Sequence, residues 1–166
     1  MSTDPPAEVA AVSERLRAED SVPGLLGVTA RALVEVLGAR GCTISRVIGD
    51  LLVDLIQHRS TGEEAETLGH GYLISDYPLT REVIEQRRPE TVFLGDPDTD
   101  ESEATLLKTL GFDALLMLPI ETGGEAWGLV EVYGDAGRRF DERDVEVVTA
   151  LVQQVGERLE QLEQRA

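Results

Sequence analysis

Apolar positions recur along the chain in two rhythms, and the switch between them sets out the elements. Val145, Val148, Val152, Val155, Leu159 and Leu162 follow one another at steps of three and four, the spacing of a single apolar seam on one long helix. Val9, Val12 and Leu16 repeat that spacing within residues 5–19 and predict a short leading helix after a polar start. Ser21 can cap a further helix. Its Leu25, Leu26, Thr29, Leu33, Val34 and Leu37 form a face broad enough to cover a sheet, with Gly38 or Gly41 at its end.

Between these helices the period shortens to two. Residues 42–48 and 51–58 are rich in β-branched and aliphatic side chains and flank Gly49 and Asp50, a pair suited to a tight hairpin. The polar stretch 59–71 is expected to loop out. Asp76 is then placed to cap a helix that has Pro78 in its first turn and ends near Arg88, before Pro89. A short strand over 91–94, an acidic loop from Asp96 to Glu103 and a helix over 101–110 closed by Gly111 follow. Strands 114–120 and 126–133 about Gly123 and Gly124 form a second hairpin. The order α, α, β, β, α, β, α, β, β, α predicts an α+β fold, an antiparallel sheet with helices on both faces.

Composition narrows the function. The 166 residues, 42% apolar, fit one domain with a sizeable core. A net charge of -17, from 32 acidic against 15 basic residues, repels phosphate backbones and anionic lipid headgroups, so no direct nucleic-acid or membrane binding is expected. One cysteine excludes an intrachain disulfide, and the sequence has no long apolar run or signal pattern. A cytoplasmic setting is expected.

The stretch 115–133, LLMLPIETGGEAWGLVEVY, leads through Arg139, Phe140, Asp141 and Asp144 into the long terminal helix. It resembles the C-terminal half of a GAF domain, and the element order agrees with that family over about residues 20–160. The resemblance implies a GAF/PAS-like sheet and a small-molecule sensory module, usually dimeric, whose terminal helices pass a signal to an output domain. It divides the chain into a leading extension and helix (1–20), the GAF domain (21–160) and the tail of the signalling helix (161–166).

Activities known in that family find little support. Gly134 and Asp135 stand where cyclic-nucleotide binders carry Asn-Lys. Cys42 opens a strand rather than lying in a bilin-linking loop, and a single thiol cannot serve a methionine sulfoxide reductase. No histidine lies within 103–113 for haem, while His58 and His70 fall at a strand end and in a loop. The calcium-like Asp96, Asp98 and Asp100 are followed by Glu101 and Leu107 where a glycine and a bidentate glutamate belong. Neither a cofactor nor a metal is expected, and no catalytic constellation marks an enzyme.

Two sites remain as expectations. Strand alternation puts Ile44, Arg46 and Ile48 on one face and Trp127, Glu131 and Tyr133 on one face, with Asp54 out of phase with its neighbours. Arg46 and Glu131 are candidate ligand contacts, or partners of each other. By analogy with GAF pockets they are joined by Tyr72, Ser75, Asp76, Tyr77, Phe93 and Met117. The second site is a homodimer interface in which Val9, Val12 and Leu16 bundle with Val145, Val148, Val152, Val155, Leu159 and Leu162 across a two-fold axis. Alternatively the first half of that seam packs on its own sheet, leaving Leu159 and Leu162 to reach beyond it. The chain then reads as a ligand sensor, alone or as the sensory fragment of a histidine kinase or diguanylate cyclase; the competing reading is an interaction module whose pocket its own side chains fill.

Overall fold

The computed structural model describes residues 7–61 and 70–165; the middle of the expected polar loop, 62–69, lies outside them. Helix α1 (Ala7–Ala18) is followed by α2 (Val22–Leu37), which opens on Ser21, whose hydroxyl accepts from the Gly24 N–H, and closes on Gly38 in the left-handed region at φ 60°. Strands β1 (Gly41–Ile48) and β2 (Leu51–Arg59) form the first hairpin. After β3 (Gly71–Leu73), α3 (Pro78–Gln86), β4 (Glu90–Phe93) and α4 (Glu101–Leu110), the second hairpin is β5 (Ala114–Thr122) and β6 (Glu125–Gly134), and α5 (Glu142–Gln164) ends the series. All strand pairs are antiparallel, in the order β3-β2-β1-β6-β5-β4.

Two details depart from the sequence reading. Asp76 does not cap α3. It ends a 3₁₀ turn, Ile74–Asp76, and Tyr77 stands at the N-cap without a side-chain hydrogen bond. Pro78 at the first helical position removes one of the donors that a cap would satisfy. Strand β3 was not expected, because three residues are too few to show alternation.

The sheet separates two apolar layers. On one face α1, α2 and α5 enclose Leu25, Leu33, Ile44, Leu116, Ile120, Val130 and Val132; on the other, α3, α4 and the 3₁₀ turn cover Leu115, Met117, Leu129 and Tyr133. The seam of α5 is used inside the protomer. Val148, Val152, Val155, Leu159 and Leu162 are buried, Leu159 completely, in the same cluster as Val9, Val12 and Leu16, while Val145 is half-buried against it. Arg158 adds two hydrogen bonds to the Glu19 carbonyl, of 2.9 and 2.8 Å. The leading helix thus covers the apolar stripe that was expected to meet a second copy, and Leu159 and Leu162 do not project beyond the domain.

The start of α5 is fixed by polar contacts. Asp141 accepts from the Asp144 N–H at 2.9 Å while Asp144 accepts from the Asp141 N–H at 2.8 Å, a reciprocal capping box. Asp144 also holds Arg138 through two bonds of 2.8 and 3.0 Å, and Arg138 donates to the Leu37 carbonyl at the end of α2. Asp144→Ala is therefore expected to cost about 2 kcal/mol in urea unfolding, a lost cap plus a partly buried bidentate pair. A loss below ~0.5 kcal/mol, the range of an ordinary surface substitution, would show that the box contributes nothing.

Candidate functional site

Two β-bulges decide which side chains face which layer. In the β1–β2 ladder Ile44 pairs with Ile56 but Ser45 pairs with Asp54, so Leu55 is the extra residue. In the β5–β6 ladder Ile120 pairs with Gly128 but Glu121 pairs with Ala126, so Trp127 is extra. An extra residue reverses the phase of everything beyond it. Trp127 therefore turns into the layer of α1, α2 and α5, whereas Glu131 and Tyr133 on the same strand face α3 and α4.

Arg46 goes with Trp127. Its guanidinium lies 4.4 Å from the centre of the indole ring and donates to the Trp127 carbonyl at 2.6 Å, while the indole N–H donates to Glu163 Oε1 at 2.7 Å. Arg46 and Glu131 stand on opposite faces of the sheet, so they neither pair nor share a ligand.

Between the sheet and the α3–α4 layer lies a cavity of about 280 Å³. Thr43, Asp54, Gln57, Arg59, Glu131 and Tyr133 form its sheet wall. Ile74, Tyr77, Thr80, Leu106 and Leu110 close it from the other side, with Tyr72 of the edge strand β3 and His70 at its border. Of the candidates, Tyr72, Tyr77 and Glu131 come together here. Tyr72 and Tyr77 meet edge to face, their ring centres 6.2 Å apart.

The remaining candidates lie elsewhere. Ser75 latches the β1–β2 turn, its N–H and hydroxyl donating to Asp50 at 3.0 and 2.7 Å. Asp76 is exposed on the surface beside it. Phe93 sits at the far end of the sheet beneath the Arg139 guanidinium, at 5.0 Å. Met117 is wholly buried behind Thr80, whose hydroxyl is 3.5 Å from its sulfur. Cys42 belongs to the helix-packed layer with no exposed surface, and burial pushes its thiol far up.

The polar chemistry of the cavity is carboxylate-rich. Glu131 is 7% exposed and accepts one hydrogen bond, 3.2 Å from the Tyr133 hydroxyl. Burial, then the negative Glu103 and Asp54, push its carboxyl up to about 8 against the opposing Tyr133 bond. Asp54 accepts from the Ser45 hydroxyl at 2.7 Å, and burial raises its carboxyl despite that bond and the neighbouring His70. At the start of α4 Asp100 accepts the Glu103 N–H at 3.1 Å. The Glu103 side chain turns inward with no exposed surface; one oxygen accepts from Thr80 and the other is without a hydrogen bond among the described residues. Burial raises that carboxyl too.

The same fold recurs in solved structures. The chromophore-binding domain of the unusual bacteriophytochrome RpBphP3 from R. palustris aligns at a TM-score of 0.81 and 14% identity, over 95% of this chain and 60% of that one. A far-red-absorbing dark state with bound biliverdin IXa aligns at 0.78 and 17% identity, over 94% and 99%. The chromophore-binding domain of the Stigmatella aurantiaca bacteriophytochrome aligns at 0.73 and 17%, over 96% and 59%. This chain therefore spans about three fifths of the two phytochrome fragments. At such identities the likeness establishes the fold. Comparison with curated proteins gives no match. Among the described residues no helix is long and apolar enough to cross a membrane. The GAF domain family matches residues 22–159, from the first residue of α2 to Leu159 on α5, and the chain belongs to that family.

Proposed function

We propose that this GAF domain is a non-catalytic sensor that binds a small cytosolic ligand in the cavity between β6, Tyr72 and Tyr77, and reports its occupancy through α5. The observation that carries the reading is strand β6. Glu131 and Tyr133 form the cavity wall on one face, while Trp127, turned to the other face by its bulge, holds Glu163 at the end of α5. A ligand that shifts β6 would move both ends of that connection. The cavity is just below the usual 300–1,000 Å³ of ligand sites and suits a molecule of amino-acid or nucleobase size. In this reading the signal leaves through the pose of the α5 end, and any self-association uses the polar outer surface of the terminal helices, because their apolar seam is already covered.

A thermal-shift screen of polar metabolites tests the sensor. A ligand at about a hundred times its Kd stabilises by roughly 2.7 kcal/mol, on the order of 5–10 °C for a domain of this size. The shift is expected to disappear in Leu106→Trp, which places an indole in the cavity. No stabilising compound, or a shift that survives in Leu106→Trp, would count against this site.

A further inference from the structure

Resting on that sensor reading, we infer that the ligand is a small organic cation, an ammonium or amidinium group, received between Glu131, Asp54 and the Tyr72–Tyr77 pair. Three carboxylates, Asp54, Glu103 and Glu131, stand in or directly behind one cavity, all at least nine-tenths buried. None of them forms an ion pair among the described residues, whose salt bridges all lie elsewhere. Glu131 uses one oxygen to accept from Tyr133, and behind Thr80 one Glu103 oxygen is buried without a hydrogen bond among the described residues. The ionised form of a carboxyl in so buried a place is unfavourable unless a cation reaches it, and without one the group holds its proton.

Two further features fit that charge. Tyr72, Tyr77 and Tyr133 line the same space, and the faces of aromatic rings attract cations. The chain's net charge of -17 draws cations toward it. Arg59 and His70 also border the cavity, but Arg59 forms no ion pair with any of the three acids among the described residues. By register Arg59 stands opposite Gly41, in the row of Tyr133, whereas Asp54 stands opposite Ser45 at the other end. A bare metal ion is a poorer fit, since no group of three His, Cys, Asp or Glu side chains among the described residues is placed to hold one.

The test uses small probes of similar size and opposite or no charge: n-butylammonium and benzylammonium, the corresponding alcohols, and butyrate and phenylacetate. Binding to the full chain is followed by calorimetry and by NMR shifts at about pH 8.5, above the value of about 8 to which burial pushes the Glu131 carboxyl. The ammonium probes are expected to bind at least tenfold more tightly than their partners, and Glu131→Gln to weaken them at least tenfold. Asp54→Asn is the second variant, expected to weaken the same probes. Alcohols or carboxylates that bind as well as the ammonium probes would overturn the cation while leaving the sensor standing. Absence of ammonium binding, with hits in the wider metabolite screen, would do the same. Loss of every hit in both experiments would remove the sensor reading itself.

Discussion

Gly156→Ala is expected to destabilise the domain by about 3 kcal/mol, on the order of 6–12 °C in Tm, although alanine is the better helix former by ~1 kcal/mol. A Cβ at this position of α5 would stand 2.2 Å from the Glu121 carbonyl oxygen and 3.3 Å from its carbon. These are backbone atoms of β5 beside the bulge, so no side chain can swing aside. The helix must lift from the sheet, and Val152, Val155 and Leu159, all buried on the same face, lose contact together. Gly137 is the control: a Cβ there meets nothing within 4 Å, so Gly137→Ala should stay within about 0.5 kcal/mol. Urea unfolding of both variants decides the matter. Equal stabilities would mean that α5 is not held against β5 as closely as described.

Gly156 also shows where sequence patterning stops. The spacing of Val148 to Leu162 identifies an apolar stripe but not what covers it, because a coiled-coil partner and a neighbouring helix of the same chain ask for the same residues. The small residue inside the stripe fits the second case. Glycine at 156 allows a helix to reach a strand backbone, and the stripe is then completed by Val9, Val12 and Leu16 of α1.

The order of elements was legible because each one carries its own period and its own punctuation, such as Ser21, Gly38 and the Asp141–Asp144 box. Side-chain direction was legible only as far as the nearest bulge. Counting by twos puts Trp127 beside Glu131, and the bulge separates them by the thickness of the sheet; Arg46 follows Trp127 to the wrong side for a ligand. Glu131 and Asp54 drew notice as charges inside covered strands. Thr43, Gln57 and Thr80 carry no comparable signal. Glu103 was hidden by its surroundings, for in an acidic run one inward-turning carboxylate reads like its solvated neighbours.

Glu131→Gln is expected to raise stability at pH 8.5 by an amount on the order of 5 kcal/mol but by only about 1 kcal/mol at pH 5. The Glu131 carboxyl rises from an ordinary 4.5 to about 8, chiefly through burial and then through Glu103 and Asp54. Between those values the folded chain keeps the proton that the unfolded chain has released. Stability therefore falls as pH rises, by about 1.4 kcal/mol per unit from this group, and levels off above its folded value. Glutamine resembles the protonated acid and can still accept from Tyr133, so it lacks only that slope. Asp54 and Glu103, also raised by burial, add slope of the same sign to both proteins. Asp144 adds the opposite sign: burial raises it, but Arg138 and the Asp141 N–H outweigh that, and its contribution is lost only as acid protonates it. Because these contributions are common to both chains, the gap between wild type and Glu131→Gln isolates the one carboxyl, apart from its coupling to Glu103 and Asp54. Urea titrations from about pH 5 to 8.5 read that gap directly. A gap that stays constant with pH would mean that Glu131 is ionised in the folded protein throughout, with a counter-charge beside it that the free domain already supplies.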